Sequence, residues 1–74
     1  MKVTDLIGMV VVDKNGESVG TVNDVDIDEN SGSIKEVDLN LNQKIFSDER
    51  GVIEFDQIED ISYAVLLNAI LDLE

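Results

Sequence analysis

The chain has 74 residues, five of them basic and seventeen acidic, for a formal charge of -12, and it contains neither cysteine nor histidine. That length limits it to one small domain, which buries only about 60% of its unfolded surface. The composition excludes disulfides, thiolate metal sites, cysteine nucleophiles and Ser-His-Asp triads. The charge disfavours direct nucleic-acid contact and anionic membranes.

The N-terminal stretch MKVTDLIGMVVVDKNG has a short apolar run broken by Asp5 and Gly8. It lacks a signal-peptide cleavage pattern, and no apolar run reaches the roughly 18 residues of a membrane span. A soluble cytoplasmic protein without membrane insertion is the expectation. Hydrophobic residues make up 43% of the chain, too many for a disordered acidic tail. Frequent valine and isoleucine with closely spaced turn signals point to an all-β barrel.

Gly8 to Val12 reads as the first, buried strand. DKNGE at 13–17 reads as a turn, because Asn15 and Gly16 both tolerate positive φ. Val19 to Asp28 reads as the second strand, with Val25 and Ile27 on its apolar face and Asp24, Asp26 and Asp28 on the other. Val22 has the wrong parity for that face, and a β-bulge near Asn23 or Asp24 corrects it. Glu29 to Ser33, with Gly32, forms the next turn. Ser33 to Asn42 repeats the pattern as the third strand, with Val37, Leu39 and Leu41 inward and Glu36, Asp38 and Asn40 outward. Gly51 to Phe55 is a fourth strand, FDQIED a single helical turn, and Ile61 to Asn68 the last strand, with Tyr63, Val65 and Leu67 inward. The tail 68–74 fits either a helix, through Leu66, Ile70 and Leu73, or an extra strand, through Ala69, Leu71 and Leu73. One domain spans 1–74, with its core at 5–67.

DVDIDENSG, Asp24 to Gly32, invites comparison with a calcium loop. Such a loop needs oxygen ligands at positions 1, 3 and 5, glycine at 6 and glutamate at 12. Counting from Asp26 puts Ser31 and Val37 at the last two positions; counting from Asp24 puts Glu29 and Lys35 there. The flanks also alternate with period two, whereas that motif needs helices. Alternate aspartates on a strand are spaced roughly 7 Å apart, poorly placed to share an ion. The stretch therefore reads as an acidic strand face followed by a turn, with no metal and no cofactor.

Leu6-Ile7-Gly8, Asn15-Gly16, Val19-Gly20, Val22, Asp24-Val25, Gly32 and Phe55-Asp56-Gln57-Ile58, in this order and spacing, resemble the PRC-barrel domain family over about residues 5–67. Glu54 stands where many members have proline, and the tail beyond Asn68 departs from the common pattern. The resemblance implies a small antiparallel β-barrel of five to six strands that works as an adaptor without catalytic motifs. It implies structural roles for Gly20, at a bend that needs no Cβ, and for Asp24, bonded to a nearby turn. It also implies two kinds of protein partner. One is cell-division machinery, met by archaeal-type members; apart from the resemblance, Leu66, Ile70, Leu71 and Leu73 are hard for so small a domain to bury, and they either build a homodimer or cap the barrel's open end. The other is a basic ribosomal protein, met by the ribosome-maturation factor, through an acidic face including Asp24, Asp26, Asp28, Glu36 and Asp38. An enzyme is the least expected reading: the only chemistry left is paired carboxylates, a domain this small has little room for a cleft of about 300–1,000 Å³, and Phe46, Phe55 and Tyr63 read as core.

Overall fold

A computed structural model describes residues 1–71. Six strands form one sheet: β1 Val10–Val12, β2 Ser18–Ile27, β3 Ile34–Leu41, β4 Arg50–Glu54, β5 Ile58–Ile61 and β6 Val65–Leu67, in the order β4-β3-β2-β1-β6-β5. The sheet curls into a barrel-like shape without closing, so β4 and β5 remain its two edges. A 3-10 turn, Phe55–Gln57, joins those edge strands. Neighbours pair antiparallel with one exception, β1 with β6, which is parallel.

Bulges give the sheet its curvature. Val22 pairs with Leu39 and Asp24 with Asp38, leaving Asn23 as the extra residue. This is the bulge that the parity of Val22 demands, and it returns both apolar sets to the inner face. A second bulge lies at Val19, because Val11 pairs with Gly20 and Val12 with Ser18. The core then gathers Leu6, Val11, Val19, Val22, Val37, Leu39, Leu41, Ile53, Val65 and Leu67, all buried. Gly20 passes so close to β3 that a Cβ built on it meets the carbonyl oxygen of Asn40. The expected bend without a side chain is thus a close approach between two backbones.

The β1–β2 turn is built on Asp13, the buried polar residue of the described chain. Its Oδ1 accepts the N–H groups of Asn15 and Glu17, each at 2.9 Å, and its carbonyl accepts Gly16 N–H at 3.0 Å. Positive φ falls on Gly16 alone, at 86°, so Asn15 contributes turn chemistry without a left-handed backbone. The β2–β3 turn closes through Asp28 N–H to Ser33 O and Gly32 N–H to Asp28 O, both 2.8 Å, with Gly32 at φ 76°.

Several expectations need correction. Residues Val3–Leu6, ahead of the expected first strand, form a short helix, α1, that the sequence reading lacks. Four residues have little intrinsic helical stability; Asp5 Oδ2 accepting Lys2 N–H at 2.9 Å and burial of Leu6 hold this turn. The expected single strand Ile61–Asn68 is broken at Ser62–Ala64, giving β5 before the bend and β6 after it. Tyr63 lies on the bend and is 93% exposed, so it is no core residue. Phe55 and Ile27 have the parity of inner-face residues but are 40% and 49% exposed, Phe55 at the barrel's open mouth; Phe46 does pack against the core. Residues 68–71 form neither helix nor strand. Asn68 is tied by its N–H to Gln57 O at 2.9 Å, and Ala69 O accepts Lys14 N–H at 3.3 Å.

Two substitutions test these supports by urea unfolding. Gly20→Ala drives a methyl into the Asn40 carbonyl and is expected to cost about 2–3 kcal/mol. Asp13→Ala leaves two turn amides without their acceptor and is expected to cost about 2 kcal/mol. A loss below about 0.5 kcal/mol in either would remove that support from the account.

Candidate functional site: an acidic sheet face

The bulge at Asn23 that sends Val22, Val25, Val37 and Leu39 inward sends the acidic set outward. Asp24 then lies directly across from Asp38, and Asp26 from Glu36. The next strand extends the array, because Glu36 also faces Glu54 and Asp38 faces Val52. Two rows cross the outer surface: Asp26, Glu36 and Glu54 in one, and Asp24, Asp38 and Val52 in the other. Like charges directly opposite each other on a sheet oppose folding. The arrangement persists because shifting the register by one residue would turn the apolar set out to water.

Asp38 records the crowding. It is half-buried, and its carboxyl is held above the ordinary aspartate range, first by desolvation and then by Asp26, Asp24 and Glu36, with a hydrogen bond to Asp26. Protonated Asp38 donates that hydrogen bond, which the ionised form lacks.

The other expected site residues distribute as follows. Asp24 is exposed on the face, and its Oδ1 accepts Val25 N–H at 2.8 Å; it stabilises the bulge beside it and does not reach a separate turn. Asp28 leaves the face. Its Oδ1 accepts Asn30 N–H at 2.9 Å, so it builds the hairpin turn. Leu66 points outward from β6 and is partly exposed, and Ile70 is 57% exposed. Leu71 packs against the core instead, so the expected apolar tail patch is divided. Leu73 lies outside the described residues. Val52, 51% exposed, and Glu54 complete the acidic face and were missed by sequence reasoning. Their placement depends on the β3–β4 register, which the turn residues of SDERG, 47–51, do not specify on their own.

A small apolar cleft of about 140 Å³ opens at the barrel mouth, lined by Met1, Val3, Leu6, Ile34, Phe55 and Ile61 among others. Among the described residues, no group of three or more ligating side chains is placed to hold a metal ion. No helix of the described residues is long and apolar enough to cross a membrane.

The family model of the PRC-barrel domain matches residues 1–73. The chain therefore belongs to the PRC-barrel family, which is in general a family of non-catalytic modules. No curated protein matches.

The raised position of Asp38 gives a signed pH test. Between its unfolded and folded titration ranges, the folded chain binds more protons than the unfolded one. This group therefore makes stability fall as pH rises through that window and recover on acidification. Asp38→Asn is expected to raise stability near neutral pH by about 0.5–1 kcal/mol. It should also flatten the gain in melting temperature as pH falls toward the ordinary aspartate range. Equal melting curves for the two proteins across that fall in pH would refute the repulsion.

Proposed function

We propose that this PRC-barrel chain is a non-catalytic adaptor of the cytoplasm that binds a protein through the outer face of β2, β3 and β4. The observation that carries this reading is the register of like charges: Asp24 against Asp38, and Asp26 against Glu36. A partner bearing lysines and arginines relieves this repulsion as it binds, so the cost carried by the free chain becomes a gain in the complex. Nucleic acid has the wrong sign for this face.

The two partner classes implied by the family differ in what they must present. A ribosomal protein would offer a basic surface directly. A division-ring protein would qualify only through a basic segment of its own. The reading does not depend on an active site, and the carboxylates of the face have no apolar enclosure in which to act as acid and base.

The test is capture of cross-linked partners from the source cells by the tagged wild-type chain and by Asp24→Asn/Asp26→Asn/Asp38→Asn. Each hit is then purified and its affinity measured at rising salt. A basic partner should lose about tenfold or more in affinity with the triple variant, and its binding should weaken steadily with salt. Partners retained equally by both proteins and insensitive to salt would place the binding surface elsewhere.

A further inference from the structure

β4 ends the sheet, and its unpaired side follows from the hydrogen-bond pattern. Leu41 N–H donates to Glu49 O at 2.8 Å, and antiparallel bonding alternates along a strand. With Leu39 opposite Gly51 and Val37 opposite Ile53, the backbone groups of Gly51 and Ile53 face β3. Those of Arg50, Val52 and Glu54 point away from the sheet. One of them is already engaged: Glu54 N–H donates to Gln57 Oε1 at 2.8 Å.

The side chains at this edge read Arg50, Val52, Glu54 along the outer face, with Val52 about half exposed between a cation and an anion. This order is self-complementary. When two such strands run antiparallel about Val52, each Arg50 lies opposite the other copy's Glu54, and the two Val52 side chains meet at the centre.

We infer that this chain forms a two-fold dimer in which β4 pairs with β4 of a second copy about Val52. The Val52 backbone groups bond reciprocally, and each Arg50 N–H donates to the opposite Glu54 carbonyl. The Glu54 N–H groups, which such pairing would otherwise need, are those already bonded to Gln57. A C2 interface requires a patch that complements itself, and the charge order supplies one.

The neighbouring rows favour the same occupant. Within the chain, Arg50, the sole arginine, lies across from Asn40 and gains no opposing charge there. The row Asp26, Glu36, Glu54 ends at the edge without a cation. In the dimer, the second copy's Arg50 extends that row, its guanidinium able to bridge carboxylates. A five-residue edge buries less than the roughly 1,200–2,000 Å² of a tight complex. The dimer is therefore expected to be a weak, concentration-dependent one.

The inference is independent of the adaptor reading, since it needs only the purified chain. Sedimentation equilibrium near physiological salt should show the mass rising with concentration from that of the 8.2 kDa chain toward twice that value. Arg50→Glu and Glu54→Arg should each weaken association by about tenfold or more, since each turns the paired attractions into repulsions. An equimolar mixture of the two variants, and the double exchange Arg50→Glu/Glu54→Arg, should restore it. Circular dichroism on each variant separates loss of pairing from loss of fold. A wild-type chain that stays monomeric at millimolar concentration overturns the inference. So does a dimer that survives Arg50→Glu, or folded single variants whose mixture fails to associate.

Discussion

The β2–β3 pairing is the constraint on which the rest of the molecule depends. Its bulge at Asn23 places Val22 and Val25 on one face despite their odd spacing, opposite Leu39 and Val37. Each buried valine or leucine side chain contributes about 1.5–3 kcal/mol, so this register is strongly specified. The acidic array follows from it. Aspartates and glutamate at alternate positions must face one another once the apolar residues between them are paired inside. An opposed carboxylate pair costs a few tenths of a kcal/mol to about 1 kcal/mol, and the burial on the other face exceeds that several-fold. Core formation and the repulsive outer face are two consequences of one alignment.

The same comparison of magnitudes bears on Gly20. At this point β2 must approach β3 closely enough that no Cβ fits against Asn40, while Val19 bulges toward the core. The close approach, the Asn23 bulge and the Asp13 turn all act within the first half of the sheet. β5 and β6 are shorter and attach through the parallel β1–β6 pair. Their connection bends through Tyr63 in solvent, and β5 contributes no fully buried residue, so β5 is the strand expected to open first.

How much of this was legible in the sequence depends on the residue. Alternation in DVDID and KEVDLNL fixed both faces of β2 and β3, and the parity of Val22 located the bulge. The PRC-barrel likeness came from the order of short motifs. Other features needed tertiary information. Tyr63 has the parity of a core residue, yet a bend at Ser62–Ala64 turns it to solvent, and no glycine or proline marks that bend. Phe55 has the inner-face parity of β4's continuation but reaches the mouth of an unclosed sheet, which periodicity does not distinguish from the interior. Asp28 continues the aspartate alternation, yet its carboxylate serves the hairpin turn. Glu54 and Val52 joined the acidic face only once the register of β4 was known.

Charge acts on two length scales here, and they pull in different directions. Each chain carries -12, and bringing two such bodies together is opposed by repulsion summed over a molecule about 35 Å long. At physiological salt the screening length is about 8 Å, so most of that summed repulsion is suppressed. A contact ion pair at about 4 Å lies inside the screening length and retains more of its attraction. Low salt therefore opposes pairing at the β4 edge, because distant acidic groups are felt in full, and very high salt removes the help of Arg50 and Glu54. The balance favours association between these limits. The acidic face behaves differently: a basic partner is attracted at both ranges, and its binding weakens monotonically with salt. The two surfaces lie on adjacent strands, yet their salt responses differ in form, because one joins like bodies through a local exception in their charge and the other joins unlike bodies through the charge itself.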